Sequence, residues 1–127
     1  MARYTGPSKR KISGGLRKKS MGKKQKFLAR PPAETHIGEP RKKKVRTLGG
    51  NFKIKNLRAN RINVLDKNSN KTKNVEIKGL DLNPASRDFT RRKIITKGAI
   101  VITELGKVRV TSRPGNDSVI NGVLINE

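Results

Sequence analysis

Apolar and polar residues alternate along most of the chain after residue 50, with the period of two that is typical of β-strands. Glycines and short polar stretches separate the alternating segments. Of the 27 apolar residues in 51–127, 16 are Ile or Val, whose β-branched side chains favour strands over helices. The pattern predicts strands at residues 43–48, 52–56, 62–66, 75–77, 94–95, 99–103, 107–111 and 118–125.

Two further local signals predict how strands are connected. Asn83 followed by Pro84 is a typical helix start, so we predict one short turn of helix at residues 84–89. Residues 113–116 read Arg-Pro-Gly-Asn, which fits a type II turn in which Gly115 supplies a positive φ.

Seven or so short strands in the second part of the chain predict an all-β fold with at most one short helix. A small antiparallel β-barrel suits this spacing because closure removes exposed strand edges, although the pattern fits a small sandwich equally well. Gly122 has flanks too short for a hairpin, so we predict one strand with a glycine kink there. Phe52 and Phe89 are expected in the core, which needs a few large side chains.

The chain contains far more basic than acidic residues. The chain has 32 Lys and Arg residues against 9 Asp and Glu residues, a formal net charge of +23. Eleven of the basic residues precede Glu34, which is the first carboxylate in the chain. Like charges repel when such a chain collapses, and a polyanion such as nucleic acid supplies the missing counterions. The composition therefore predicts an RNA- or DNA-bound protein.

Charge and apolar content both change near residue 50. Residues 1–50 have a net charge of +14 and 13 apolar residues, whereas residues 51–127 have a net charge of +9 and 27 apolar residues. The basic clusters of the first part are separated by Gly and Ser, a composition that follows an irregular phosphate surface and orders on contact. We predict a basic nucleic-acid-binding N-terminal extension at residues 1–42 and a β-barrel body at residues 43–127.

Other function classes find little support in the sequence. The chain has no Cys and no apolar run long enough to span a membrane, so we expect no membrane partner and a reducing compartment. His36 is the only histidine, the carboxylates are scattered, and no phosphate-binding Gly-Lys loop occurs. We therefore expect no catalysis, no metal, no cofactor and no small-molecule substrate.

The expected mode of binding is contact with phosphates, sugars and RNA shape. The four aromatic residues are too dispersed for a base-stacking surface, and no helix is long enough to read a major groove. Arg forks and Lys point charges remain as the binding groups, with a contribution from one asparagine. The candidate RNA-binding residues are Arg3, Lys9, Arg10, Lys11, Arg17, Lys18, Lys19, Lys23, Lys24, Lys26, Arg30, Arg41, Lys42, Lys43, Lys44, Arg46, Asn51, Lys53, Lys55, Arg58, Arg61, Arg87, Arg91, Arg92, Lys93 and Arg113.

Several segments match one known family in the order of the chain. Residues 30–39 contain PAET followed by IG, and residues 110–115 read VTSRPG. The other matching segments are 8–15, 46–60, 83–85 and 91–99. Together these segments resemble the archaeal and eukaryotic small-subunit ribosomal protein family S-eight-e, and the length resembles that of its archaeal members, which lack a eukaryotic insertion.

This resemblance implies a small β-barrel body with an extended N-terminal arm bound to small-subunit rRNA, in the cytoplasmic ribosome beside other small-subunit proteins. Glu34, His36 and the adjacent prolines then form a rigid structural crossing between arm and body. Two alternatives stay open. One is a free basic RNA chaperone or nucleic-acid-compacting protein, and the other is a barrel that docks a partner protein while the tail only confers solubility.

Overall fold

The computed structural model describes residues 4–18, 22 and 24–125. The chain forms two compact units, residues 1–32 and residues 33–127. In the described part of the first unit the backbone is extended or turned, and its one helical element is a single 3₁₀ turn at Gln25–Phe27. Three of the candidate residues, Arg3, Lys19 and Lys23, lie outside the described residues.

The second unit is built from strands. Its strands and α-helix, within the described residues, are β1 (Thr35–Ile37), β2 (Arg41–Arg46), β3 (Phe52–Ala59), β4 (Arg61–Asp66), β5 (Lys71–Leu82), α1 (Arg87–Arg91), β6 (Ile94–Ile95), β7 (Ile100–Thr103), β8 (Gly106–Val110) and β9 (Asn121–Leu124), and a 3₁₀ turn at Leu48–Gly50 connects β2 to β3. Strands β4, β5, β7, β8 and β9 form a closed barrel, and β2, β3, β1 and β6 form a four-stranded sheet in that order.

The barrel confirms the predicted all-β class and decides between barrel and sandwich. Four of its five strand pairs are antiparallel, and the fifth, between β4 and β9, is parallel. Ile62 and Val64 of β4 point into the barrel, as do Val108 and Val110 of β8. The interior is thus filled by the β-branched residues whose alternation predicted the strands.

A buried polar joint holds the four-stranded sheet against the loop that follows β8. Thr35 donates its hydroxyl hydrogen bond to the carbonyl oxygen of Asn56 at 2.7 Å. The backbone N–H of Asn56 donates to the carbonyl oxygen of Pro114 at 3.0 Å, and its side-chain Nδ2 donates to that of Asp117 at 3.2 Å. Both Thr35 and Asn56 are buried, so these bonds fix the position of β3 in the body.

The predicted type II turn at 113–116 is wrong in its backbone geometry. The N–H of Asn116 does donate to the carbonyl oxygen of Arg113 at 3.0 Å, but Gly115 does not have a positive φ. A Cβ at Gly115 would lie 3.4 Å from the carbonyl oxygen of Ala33. Close approach of two backbone segments, rather than turn conformation, therefore accounts for the glycine.

The predicted helix exists, but Ser86 and not Asn83 caps it. Helix α1 covers Arg87–Arg91, and the hydroxyl oxygen of Ser86 accepts a hydrogen bond from the N–H of Asp88 at 3.2 Å. Asn83 is buried instead, where its Nδ2 donates to the carbonyl oxygen of Ile94 at 2.8 Å. Asn83 is thus committed to joining the end of β5 to β6, which shifts the helix start along the chain.

The prediction for the core was wrong at Phe52, whose residue surface is 55% exposed, while Phe89 is half-buried. Among the described residues, the buried core consists of Ile and Val side chains and Ala99, so a barrel of this small diameter is filled without an aromatic ring. The last strand is also shorter than the predicted 118–125, although Ile120, which precedes β9, is part of the core.

Gly122 is the residue that permits the parallel closure of the barrel between β4 and β9. A Cβ at this position would lie 2.5 Å from Cγ1 of Val108 and 3.0 Å from Cδ1 of Ile62. We expect Gly122→Ala to lower the free energy of unfolding by about 1–3 kcal/mol, because the interior has no room for the added methyl. Urea unfolding followed by far-UV circular dichroism, in sulfate buffer, measures the change.

Gly79→Ala in strand β5 is the matched control, because a Cβ there would meet no atom within 4 Å and Gly79 has no positive φ. We expect this variant to change the free energy of unfolding by less than about 1 kcal/mol. Equal losses in the two variants would contradict the packing argument.

Candidate nucleic-acid interface

Strands β2 and β3 form a hairpin that concentrates positive charge. No Asp or Glu occurs between Glu39 and Asp66, whereas nine Lys and Arg residues do. Eight of the predicted binding residues lie on this hairpin: Arg41, Lys42, Lys43, Lys44, Arg46, Lys53, Lys55 and Arg58. All are exposed except Lys55, which is half-buried, so the hairpin offers cations on both of its faces.

The strand register places like charges directly opposite each other. Arg41 pairs with Arg58 and Lys43 pairs with Lys55 across the antiparallel ladder. Within the described residues, the ion pairs involve neither β2 nor β3. Like charges at opposed positions destabilise a strand pair, so the hairpin by itself carries a cost that an anion would remove.

The end of the hairpin is apolar and exposed. Leu48 is 91% exposed at the turn, where Gly49 and Gly50 both adopt positive φ. Phe52 follows at the start of β3, with the ammonium of Lys44 at 4.1 Å from the centroid of its ring. Ile54 is also exposed, so a hydrophobic edge lies among the cations of the hairpin. The sequence pattern assigned Phe52 to the core and gave no signal for this surface.

The N-terminal unit contains a second, smaller basic hairpin. The N–H of Arg17 donates to the carbonyl oxygen of Lys9 at 2.8 Å, and that of Lys11 donates to the carbonyl oxygen of Gly15 at 2.8 Å. Gly14, with a φ of 84°, forms the turn. The exposed predicted residues of this unit are Lys9, Arg10, Lys11, Arg17, Lys18, Lys24, Lys26 and Arg30.

The aromatic residues Tyr4 and Phe27 of the N-terminal unit contact each other. The rings of Tyr4 and Phe27 meet edge to face with centroids 5.9 Å apart. The N–H of Thr5 donates to the carbonyl oxygen of Phe27 at 2.8 Å, which joins the two ends of the described segment. Lys26 lies 5.0 Å from the Phe27 ring centroid. These contacts stabilise the fold of the unit and leave its cations exposed.

The cluster around helix α1 divides into paired and unpaired cations. Arg92 forms ion pairs with Glu34 and with Asp88, and Arg91 pairs with Asp88 at 3.0 Å. The hydrogen bond and charge of Glu34 raise the pKa of the Arg92 guanidinium. Arg87 and Lys93 are exposed and have no ion pair among the described residues. The helix cluster therefore offers fewer available cations than its sequence indicates.

The remaining candidates are exposed but dispersed. Arg61 begins β4, Arg113 begins the loop after β8, and Asn51 closes the hairpin turn, where its carbonyl oxygen accepts from the N–H of Thr47 at 2.7 Å. His36 lies in β1, which pairs with β3 on one side and with β6 on the other. Within the described residues no group of three His, Asp or Glu could hold a metal ion.

Comparison with known proteins gives one family. The model of the family described as Ribosomal protein S8e matches residues 4–125. Small ribosomal subunit protein eS8 of Methanoregula boonei is 46% identical over 122 residues, which cover 96% of this chain and 98% of that protein. The proteins of the same name from Methanococcus aeolicus (100% of both chains) and Nanoarchaeum equitans (96% of both) are each 47% identical.

Cross-strand repulsion in the β2–β3 hairpin leads to a prediction about stability. We expect Lys55→Glu to raise the free energy of unfolding by about 0.2–1 kcal/mol, because it places a carboxylate opposite Lys43. The matched control is Lys53→Glu, which makes the same charge change on the same strand but lies opposite the uncharged Val45. Thermal unfolding at low ionic strength compares them, and an equal gain in both variants would attribute the effect to net charge alone.

Proposed function

The chain belongs to the ribosomal protein S8e family, and from that premise we propose that it is a structural constituent of the small ribosomal subunit that binds and stabilises folded small-subunit rRNA. The family is not enzymatic. The observation that carries the proposal is the β2–β3 hairpin, whose opposed cations have no carboxylate partner among the described residues. Phosphates placed along this hairpin would relieve the repulsion and release counterions.

Phosphate and shape contacts fit the described surface better than base reading. Helix α1 has five residues, too few to fill a groove, and the aromatic rings of Tyr4 and Phe27 contact each other. Lys and Arg side chains supply charge-assisted hydrogen bonds to phosphate oxygens. The exposed Leu48 at the end of the hairpin would pack against sugar or base edges where the hairpin enters a folded RNA.

The N-terminal extension, residues 1–42, acts in this proposal as the arm that follows RNA away from the body. Its described cations are exposed, and the sequence contains no acidic residue before Glu34. Its last ten residues, 33–42, belong to the second compact unit, where they form β1 and the beginning of β2 in the four-stranded sheet. The body, residues 43–127, would hold the arm and present the hairpin.

Among the candidates near helix α1, Arg87 and Lys93 are the stronger choices for RNA contact. Arg91 and Arg92 already have carboxylate partners, and exchanging those partners for phosphate yields a smaller gain. Arg92 joins α1 to Glu34, which immediately precedes β1. We assign it a positioning role between the helix and the sheet.

The partners in this proposal are small-subunit rRNA and other small-subunit proteins, in a cytoplasmic ribosome, with no cofactor or small-molecule substrate. Among the described residues, no helix has the length and apolar character that a membrane span requires. A free RNA chaperone or compacting protein would bind duplexes of any sequence comparably. Competition between small-subunit rRNA and plasmid DNA separates these functions, because preference for the folded rRNA supports the ribosomal one.

Salt dependence tests the hairpin directly. We expect rRNA affinity to fall steeply with salt, and the double variant Lys43→Gln/Lys55→Gln to reduce the slope of log K against log salt by about 0.7–0.9 for each phosphate that the variant no longer neutralises. Filter binding at several salt concentrations measures the slope. The control is Lys71→Gln/Lys78→Gln, which removes equal charge where Asp66 and Glu104 are neighbours. Equal slopes in both double variants would contradict the proposal that the β2–β3 hairpin binds rRNA.

Removal of the arm tests whether rRNA binding and folding depend on different parts of the chain. We expect deletion of residues 1–30 to weaken rRNA binding and incorporation into subunits strongly, because eleven Lys and Arg residues are removed with it, while the barrel keeps its circular dichroism spectrum and thermal transition. Sedimentation with reconstituted subunits reports incorporation. Loss of fold and binding to the same extent would show that the arm is part of the folded core.

A further inference from the structure

A groove of about 860 Å³ lies over the end of strand β9, on the barrel. Three exposed cations line it, namely Lys67, Lys97 and Arg109. Thr111 and Leu124 contribute to its wall. None of these residues is among the RNA-binding candidates that the sequence supplied, because the three cations are separated along the chain and lie outside its dense basic clusters.

The fold places the cations on both sides of β9. This strand pairs with β4 on one side and with β8 on the other. Lys67 follows β4, at the start of a turn in which the Asp66 carboxylate accepts hydrogen bonds from the N–H of Asn68 at 3.0 Å and the hydroxyl of Ser69 at 2.8 Å. On the other side, Arg109 of β8 is paired with Val123.

Lys97 reaches the groove from a tight turn after β6. The N–H of Ala99 donates to the carbonyl oxygen of Thr96 at 3.1 Å, and Gly98 has the φ of 88° that the third position of a type II turn requires. The N–H of Gly98 then donates to the carbonyl oxygen of Val110 at 2.8 Å. This bond holds the turn against β8, so Lys97 is presented on a fixed backbone.

The groove differs in charge from the neighbouring surface of the barrel. Among the described residues, Lys67, Lys97 and Arg109 form no ion pair. On the outside of β5, β7 and β8, in contrast, Lys78 lies 4.0 Å from Glu104, and Lys107 lies 3.3 Å from Asp81. Cations that line a concave surface without carboxylates focus an attractive potential on an anion.

We propose that this groove binds the sugar–phosphate backbone of a second rRNA segment, separate from the segment at the β2–β3 hairpin, so that the body bridges two parts of the RNA. This inference rests on the proposed function. Three cations from three chain segments match a run of phosphates better than one small anion. The hairpin belongs to the four-stranded sheet and the groove lies on the barrel, so the two surfaces are carried by different sheets.

Site-specific photocrosslinking in reconstituted small subunits tests the inference with the full chain. A photoreactive amino acid replaces Thr111 in the groove, Leu48 at the end of the hairpin, or Ile102, which is exposed on the ion-paired surface. We expect the probes at Thr111 and Leu48 to crosslink to rRNA at nucleotides from different helices, and the probe at Ile102 to give no rRNA crosslink. Thermal unfolding of each variant confirms that the fold is kept.

Each other outcome has a distinct meaning. A crosslink from Leu48 alone, or from Thr111 to the same RNA segment as Leu48, overturns the inference and leaves the proposed function standing. A crosslink from Thr111 to a protein also overturns it. If neither Thr111 nor Leu48 reaches rRNA, both the inference and the proposed function fail.

Charge removal gives an independent measurement. The full-length variant Lys67→Gln/Arg109→Gln should reduce the salt slope of rRNA binding by about 0.7–0.9 for each phosphate left without its cation, in addition to the reduction caused by the hairpin variant. The charge-matched control is again Lys71→Gln/Lys78→Gln. A groove variant that behaves like this control, while the hairpin variant still lowers the slope, overturns the second binding surface.

Discussion

Cations face each other across strands β2 and β3, where Arg41 lies opposite Arg58 and Lys43 opposite Lys55. A strand pair with this register is unfavourable in isolation, and the described residues place no carboxylate beside it. The rest of the body holds this arrangement, and in our proposal a polyanion bound along it relieves the repulsion. Both the barrel and the basic arm fit the same requirement, which is an anionic partner for cations that no carboxylate compensates within the described part of the chain.

The body holds the hairpin in place, and its few carboxylates lie beside cations outside the hairpin. Glu34 and Asp88 neutralise Arg92, and Asp81 and Glu104 neutralise cations on the outside of the barrel. These acids therefore join elements of the body to one another and leave the hairpin positive. The buried bonds of Asn56 to the loop after β8 keep β3, and so the hairpin, in a fixed position. A fixed cationic surface loses little conformational entropy when it binds RNA.

Much of the fold could be predicted from local patterns. The alternation of Ile and Val specified the strands of the barrel because each inward position must be apolar, whatever the topology. The cap of α1 and the geometry at Gly115 could not be predicted from local patterns. The side chain of Asn83 is hydrogen-bonded to Ile94, and Gly115 lies close to the backbone of Ala33. Phe52 was misassigned for a related reason: hydrophobicity favours burial, but its strand β3 belongs to the four-stranded sheet and not to the barrel whose interior forms the core.

The candidate site divides in the same way. Composition alone determined the large excess of positive charge, since 32 basic residues cannot be balanced by 9 acidic ones under any folding. The proposed polyanionic partner would supply the missing negative charge. Only the tertiary structure decided which cations are available, since Arg92 and Glu34 are 58 residues apart in sequence yet form an ion pair. It likewise brought Lys67, Lys97 and Arg109 to one groove. Charge is a property of each residue, whereas electrostatic compensation depends on distances of a few ångströms that strand register and turns create.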